Sequence, residues 1–346
     1  MRDSATAVSF LANLFRPAFA RLAPRPAHFL RANGERIDVD IYEPRSERFG
    51  TVAMIHGMNS RGHRDPRVLV ASQALASVGL RVFAPRLPEV GQAVITMRSV
   101  ERISDVLHFA ATESREPVSV FAPSFSAAMS LIASTREYAG DAVASVFAMG
   151  TYSDPETVIR FLLEDPHAHP YGRLIVLKNF LHRAVGPIPE IEAVLNDVIV
   201  ALGLRRIEEG HYPQLARLPA DQRQLVERLL TDHDFRVAHA ERMAGNDYDH
   251  LLERLSVSRR ASAIKGPVTL FHGEGDDVIP PQESIQLAQL LERQGVDVHL
   301  DVSPLISHGD RQSFWRERSA LMDVLKTFAH FFGNVRRGRI PVLEAA

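Results

Sequence analysis

The sequence contains no cysteine, and this absence removes several kinds of chemistry at once. Disulfides, thiolate nucleophiles and cysteine-ligated metals are excluded, so an active site here must use hydroxyl oxygens, histidine or carboxylates. Charge of one sign is not in excess either, because 40 basic residues face 42 acidic ones and give a formal charge of −2. That balance argues against nucleic acid or an anionic membrane as the main partner.

Long hydrophobic runs are also missing, and no stretch approaches the roughly 20 apolar residues that span a bilayer. In residues 1–26 the apolar runs are short and interrupted, so this segment makes a poor signal peptide. The large apolar residues of this segment instead follow roughly helical spacing: Phe10, Leu11, Leu14, Phe15, Phe19 and Leu22. We predict a leading helix that packs on the body or on another subunit, with a membrane-surface contact as the alternative. A cytoplasmic location is expected.

Two further patterns are absent from the sequence. The stretch "HGEGDD" has neither the lysine nor the spacing of a phosphate-binding loop. The histidine spacings fit no recognised zinc pattern, and helical surface is the better explanation for most of these residues. We therefore expect neither a cofactor nor a metal.

What is present indicates a large α/β protein. The 346 residues are 45% hydrophobic with a mean hydropathy of −0.08, enough for a sizeable core. A hairpin around Asn33-Gly34 is followed by continuous apolar strands that alternate with helices. This alternation predicts a mostly parallel central sheet with helices on both faces.

One region breaks the alternation and gives the domain organisation. Residues 151–262 read as helices only, which predicts an all-helical insertion lying as a cap over the carboxyl edge of the sheet. Residues 27–150 and 263–335 then form the α/β core. Residues 1–26 are an N-terminal helical extension, and residues 336–346 are a C-terminal tail.

The stretch "VSVFAPSFSAAMSL", from Val118 to Leu131, runs from β-branched and aromatic residues into a proline and then small residues. This pattern indicates a strand followed directly by a helix. One interpretation is a strand end whose serine caps the helix. The other is a nucleophile on a tight strand-to-helix turn, with "APSFS" in the place of G-x-S-x-G. In that register Ser124 is the nucleophile, and Ser126 and Ala127 are small residues that let the helix approach.

Two other predicted strand ends carry polar residues of matching types. "HGEGDDVIP" places Asp276 directly after an apolar strand, and "VSPLISHGD" places His308 between the last strand and the terminal helix. With these residues the chain resembles the α/β-hydrolase superfamily, in particular serine esterases and lipases with a helical cap, in which serine, aspartate and histidine follow in this order. The resemblance covers the chain except for about the first 25 residues and the insertion. Alanine and serine replace its two elbow glycines.

The resemblance implies specific roles for these residues. Ser124, His308 and Asp276 would form a catalytic triad. "IHGMNSRGH" resembles the His-Gly oxyanion loop, so the backbone N–H groups of Met58 and Phe125 would bind an oxyanion. His56 and Gly57 would support that loop.

The resemblance also implies an activity. We expect a serine hydrolase that cleaves carboxylic esters through an acyl-enzyme intermediate. Its substrate would be a small-molecule ester with an apolar acyl or alcohol part. The alternatives are an acyltransferase or thioesterase that uses the same acyl-enzyme, and a non-catalytic, ligand-binding member of the fold.

Overall fold

The computed structural model describes residues 2–16, 22–244, 250–306 and 318–338. Within these ranges one sheet is formed by eight strands: β1 (Arg25–Leu30), β2 (Arg36–Tyr42), β3 (Gly50–Met54), β4 (Leu80–Pro85), β5 (Val118–Pro123), β6 (Val143–Met149), β7 (Val268–Gly273) and β8 (Val298–Ser303). Their order across the sheet is β1-β2-β4-β3-β5-β6-β7-β8.

The sheet is mostly parallel. Only β2 runs against its neighbours β1 and β4, and every pairing from β4 onwards is parallel. Strands β3, β4 and β7 are buried along their whole length, because helices cover both faces of the sheet. The predicted α/β class and the mostly parallel central sheet are confirmed.

The described ranges contain the following helices: α1 (Arg2–Phe15), α2 (Pro66–Ser77), α3 (Pro88–Gly91), α4 (Met97–Ser114), α5 (Phe125–Ala133), α6 (Glu137–Gly140), α7 (Pro155–Glu164), α8 (Pro170–Val185), α9 (Pro189–Gly203), α10 (Ala220–Thr231), α11 (His233–Ala244), α12 (Leu251–Arg254), α13 (Pro281–Arg293) and α14 (Arg318–Arg337). Helix α2 begins with Pro66 in its first turn, and the Asp65 side chain caps it by accepting a hydrogen bond from the Arg67 N–H.

The sheet separates two hydrophobic cores. Helices α1, α2 and α14 cover one face, whereas α4, α5 and α13 lie on the other together with the segment between β6 and β7. Helix α1 packs against α14, where the Phe10 ring lies 5.0 Å from that of Phe328 and 5.6 Å from that of Phe332. The leading helix is therefore held on the body of the protein, as one of the two interpretations of residues 1–26 predicted.

Helices α7 to α12 form what we call the helical insertion. The structure describes this insertion except for residues 245–249, and the described part contains no strand. The sequence predicts helices throughout residues 151–262, but its pattern did not place α11 or α12. The chain enters and leaves the insertion at one point, because the backbone N–H groups of Val257 and Ser258 both donate to the Ser153 carbonyl. The division of the chain into domains stays a prediction.

A buried carboxylate strengthens this junction. Glu283, in the first turn of α13, accepts hydrogen bonds from the backbone N–H groups of Ser153 and Asp154 at 2.9 and 3.0 Å. These N–H groups belong to the chain just before α7, where a negative charge is favoured by the helix dipole. The helical insertion is thus tied to the core at its base.

None of the helices in the described ranges combines the length and the apolar character required to cross a membrane. The cytoplasmic location stays a prediction.

Candidate active site

Ser124 occupies a strained turn between β5 and α5. Its φ of 58° and ψ of −143° lie in a region that residues with a Cβ rarely adopt, at a cost of about 1–3 kcal/mol. The turn is held by the Ser124 N–H, which donates to the Met149 carbonyl at 2.7 Å. Strain of this kind persists where the surroundings enforce it, and in a strand-to-helix elbow it projects the side chain out of the turn. An ordinary N-capping serine has extended backbone instead, and Ser124 makes no capping hydrogen bond.

Small neighbours make this turn possible. Ala122, Ser126 and Ala127 are completely buried, so α5 begins directly against the sheet. Ser126 does more than the sequence predicted for a small residue. Its hydroxyl donates to the His56 carbonyl at 2.7 Å and so joins α5 to the loop after β3.

His56 is a fixed, neutral support of that loop. The Leu87 N–H donates to His56 Nε2 at 3.2 Å, so the proton must reside on Nδ1, which donates to the Gly57 carbonyl at 2.9 Å. Complete burial lowers the pKa of His56 to about 4. The ring is therefore uncharged at neutral pH and holds the loop in one conformation.

Met58, Ser124 and Phe125 share a small cavity of about 40 Å³ with residues of the helical insertion. The other lining residues are Leu162, Tyr171, Gly172, Ile175, Val176 and Val278. Neither the Met58 N–H nor the Phe125 N–H donates a hydrogen bond to another residue that the structure describes. Two backbone donors without an acceptor beside a serine hydroxyl are what binding of an oxyanion requires.

Tyr171 connects the helical insertion to this loop. Its hydroxyl donates to the Met58 carbonyl at 3.0 Å. Burial raises the pKa of Tyr171 to about 12, so the hydroxyl stays protonated and remains a donor at any physiological pH. Sequence reasoning missed this residue, because nothing in a helical tyrosine indicates a contact 113 residues away.

Asp276 lies in the turn that follows β7. One of its oxygens, Oδ1, accepts hydrogen bonds from the backbone N–H groups of Val278 and Ile279, both at 2.9 Å. The other, Oδ2, faces Gly150, where a Cβ atom would come within 3.4 Å of it. Gly150 directly follows Met149, whose carbonyl holds Ser124. The end of β6 thus brings the turns of Ser124 and Asp276 together.

His272 is a second residue at this site that sequence reasoning passed over. The ring is completely buried, and its Nε2 donates to the Ile279 carbonyl at 2.9 Å while lying 3.4 Å from Asp276 Oδ2. Nδ1 lies 2.6 Å from the Ser284 hydroxyl. The "HGEGD" stretch contains this histidine, but the sequence pattern gives a role only to the aspartate. In the structure the buried His272 ring packs against the Asp276 carboxylate and helps to hold it in place.

His308 lies outside the described residues, so its place in a triad stays a prediction. The strand that precedes it ends beside Asp276, because β8 pairs with β7 through Ser303 and Gly273, and the Ser303 carbonyl accepts from the Glu274 N–H at 2.9 Å. The roles of Ser124, Asp276, Met58, Phe125, His56 and Gly57 in catalysis are proposals as well.

No group of three histidine or carboxylate side chains is placed to hold a metal ion in the part of the chain that the structure describes. His169 and His233 act within the fold instead. His169 Nδ1 accepts from the Tyr171 N–H at the start of α8, and His233 Nε2 donates to the carbonyl of Glu164 at the end of α7.

Comparison with known proteins places this geometry in context. The model of the prolyl oligopeptidase family matches residues 225–338, about a third of the chain. No curated protein matches the sequence. Among solved structures, a Pyrococcus horikoshii acylaminoacyl peptidase is similar with a TM-score of 0.55 at 15% identity, over 96% of this chain and 44% of the peptidase.

Two other solved structures have comparable similarity. A Mycobacterium tuberculosis puromycin-hydrolyzing peptidase gives a TM-score of 0.54 at 15% identity, over 91% of this chain and 40% of the other. Porphyromonas gingivalis dipeptidyl peptidase 4 gives 0.51 at 12% identity, over 91% and 36%. The chain thus spans less than half the length of these peptidases, and at such low identity the likeness concerns the fold.

Proposed function

We propose that this chain, which has the fold of the α/β hydrolases, is a serine hydrolase that works through an acyl-enzyme intermediate. The observation that carries this proposal is the strained backbone of Ser124 in the turn between β5 and α5, since strain of this kind clusters at functional sites. The anchored Asp276 carboxylate supports it, and so do the Met58 and Phe125 N–H groups at the Ser124 cavity, which have no acceptor among the described residues.

The proposed reaction begins with attack of Ser124 Oγ on an acyl carbonyl carbon. His308 takes the hydroxyl proton, and Asp276 holds the imidazole in the required tautomer and stabilises the imidazolium. The N–H groups of Met58 and Phe125 bind the oxyanion of the tetrahedral intermediate. The carbon–leaving group bond then breaks, and His308 returns the proton to the leaving group. Water, activated by His308, finally releases the acid and restores the serine.

For the substrate we propose a peptide or acyl-amide bond ahead of the carboxylic ester that the sequence resemblance implies. The match to the prolyl oligopeptidase family and the similarity to three peptidases support the amide bond. Activated esters remain suitable assay substrates, because a serine nucleophile that cleaves amides also cleaves the more reactive ester bonds.

The cavity at Ser124 limits the group that can lie next to the reacting carbon. Its 40 Å³ correspond to about three water-sized groups at roughly 10–15 Å³ each. Leu162, Ile175 and Val176 make its wall apolar. We therefore propose that the helical insertion acts as a cap that selects a short apolar substituent there.

A fluorophosphonate probe tests the nucleophile. We expect labelling of the wild type, loss of labelling in Ser124→Ala and retention in Ser126→Ala, a control one residue beyond the turn. Labelling that persists in S124A and disappears in S126A would move the nucleophile to Ser126. A folded wild type that neither labels nor cleaves any acyl substrate would support a non-catalytic, ligand-binding protein instead.

The bond type is tested with matched substrates. A p-nitroanilide and a p-nitrophenyl ester of the same short acyl group separate amide from ester cleavage. We expect both to be cleaved, with kcat/KM falling as the acyl chain is lengthened beyond a few carbons. Cleavage of the ester series alone would leave the esterase interpretation in place. Acyl transfer to an added alcohol in preference to water would indicate an acyltransferase.

A further inference from the structure

A second and much larger cavity lies on the other side of the loop that contains Met58. Its volume is about 780 Å³. The walls come from the β1–β2 edge of the sheet, the segments 56–64 and 86–92, and Val200 of α9. Because β2 runs antiparallel to β4, the beginning of β2 lies at the carboxyl edge of β4, on the same edge of the sheet as Ser124.

Four arginines from three separate segments line this cavity: Arg36, Arg61, Arg64 and Arg86. Two aspartates oppose them, Asp38 and Asp40, so the walls carry two more positive than negative charges. Burial lowers the pKa of His63, which also lines the cavity, and this histidine therefore adds no charge at neutral pH.

The two aspartates do not neutralise all four arginines. Asp38 is shared, with Arg36 Nε at 2.7 Å from one oxygen and an Arg86 nitrogen at 3.9 Å from the other. Asp40 faces His63 Nε2 at 3.5 Å. The side chains of Arg61 and Arg64 form no ion pair and no hydrogen bond with any residue in the described ranges, and both are exposed.

The loop that contains Met58 also contributes a hydroxyl group, that of Ser60, to this cavity. Ser60 lines the cavity, and its hydroxyl is buried without a hydrogen-bond partner among the described residues. The same hydroxyl lies near Tyr171, since a Cβ atom on Gly203 would be 3.4 Å from Ser60 Oγ and 3.9 Å from the Tyr171 hydroxyl. Met58 lines the Ser124 cavity and Ser60, two residues later in the same loop, lines the arginine cavity.

We propose that this arginine cavity binds the carboxylate of the substrate, so that the preferred substrates are short peptides with a free α-carboxylate. Guanidinium groups bind carboxylates through paired, charge-assisted hydrogen bonds, and Arg61 and Arg64 have donors available for this. The proposal places the scissile carbonyl at Ser124 and the α-carboxylate beyond the loop segment that contains Met58 and Ser60. This inference rests on the proposed hydrolase function.

The test compares one short peptide substrate in two forms, with a C-terminal carboxylate and with a C-terminal carboxamide. The wild type should prefer the carboxylate by at least 10-fold in kcat/KM, and added salt should reduce that preference. In Arg61→Gln and Arg64→Gln the carboxylate-to-carboxamide ratio should fall by about 5–10-fold each, as expected for one charge-assisted contact in a solvated cavity. The double variant should show almost no preference.

Matched variants separate this effect from loss of structure. Arg293→Gln removes an exposed arginine of α13 that forms no ion pair with a described residue, and it should leave the ratio unchanged. Arg61→Lys and Arg64→Lys keep the charge but lose the paired donors, so their ratios should be intermediate.

Several kinetic results would overturn the inference. These are equal kcat/KM for both peptides in the wild type, an unchanged ratio in the double Arg61→Gln/Arg64→Gln variant, and a fall of the ratio in Arg293→Gln. Strong competition by inorganic phosphate without a preference for the carboxylate peptide would assign the cavity to phosphate and also overturn it.

Failure of the hydrolase function has a different signature, namely no fluorophosphonate labelling and no cleavage of either peptide. The carboxylate site is then tested by calorimetric titration of both peptides into the full chain. Binding of the carboxylate form alone would support the site without the reaction, whereas equal binding or none would refute it.

Discussion

The strain at Ser124 predicts that glycine and alanine should exchange their usual order of stability at this position. Both substitutions remove the hydroxyl, but alanine keeps the Cβ that disfavours a φ of 58°, whereas glycine tolerates it. Relief of the strain is worth about 1–3 kcal/mol. The greater freedom of glycine in the unfolded chain takes back about 0.5–1 kcal/mol. The free energy of unfolding of Ser124→Gly should therefore exceed that of Ser124→Ala, by up to about 2.5 kcal/mol.

Ser130 provides the comparison, because it is a completely buried serine in α5, the helix that Ser124 precedes. There the backbone is helical, and glycine should be about 1 kcal/mol less stable than alanine. Urea denaturation of the four variants measures both differences. Glycine that is less stable than alanine at both positions would show that Ser124 is not strained, and the main support for a nucleophile elbow would be lost.

Three further predictions concern the surroundings of the site. Burial lowers the pKa of His56 in the folded state from 6.5 to about 4, so the stability that the neutral ring contributes is complete above pH 6.5 and is lost as the pH falls towards 4. The free energy of unfolding in urea should therefore fall by about 2–3 kcal/mol between pH 7 and 4.5. His56→Asn should flatten this pH dependence, and an equal slope in both proteins would exclude His56 as its cause. Tyr171→Phe leaves the Met58 carbonyl without its hydrogen-bond donor. The free energy of unfolding in urea should fall by about 1–2 kcal/mol, and kcat should fall as well. Unchanged values of both would show that the hydrogen bond is unimportant. Glu283→Gln removes a buried negative charge that accepts two backbone N–H groups before α7 and should cost about 2 kcal/mol, whereas full stability would mean that a neutral amide serves equally well.

The parts of the fold that could be predicted from the sequence are those that depend on neighbouring residues or on a regular hydrophobic pattern along the chain. Strands buried on both faces, such as β3 and β7, read as continuous apolar runs, and their ends mark the carboxyl edge of the sheet. The elbow at Ser124 was readable because a tight turn demands small neighbours. The loop of His56 was readable because it follows a buried strand.

Helix α11 could not be predicted, because its buried side includes a charged residue. Arg236 is 3% exposed, and its guanidinium donates to the carbonyls of Leu163, at 2.6 Å, and Leu229, at 3.1 Å. These carbonyls lie near the C-terminal ends of α7 and α10, where a positive charge is favoured. A sequence pattern that counts arginine as a surface residue therefore finds no apolar stripe in α11.

The contacts that complete the site were hidden for a related reason, since they join residues far apart in the chain. Tyr171 meets Met58, and Ser284 meets His272, only after the helical insertion and α13 have packed against the sheet. The arginine cavity likewise requires the β1–β2 edge and the loop after β3 to be neighbours. No periodicity or motif contains that information.

The hydrogen bond from Tyr171 to Met58 has a consequence for how the protein would discriminate between ligands. A substituent too bulky for the space beneath α8 would displace the phenol, and the peptide unit that follows the proposed oxyanion donor, the Met58 N–H, would lose its hydrogen bond in the same movement. Poor substrates would then lower kcat more than they raise KM, because they still bind while the proposed oxyanion donor is no longer held in position. In this arrangement, the size of the substituent would determine directly whether the oxyanion is stabilised.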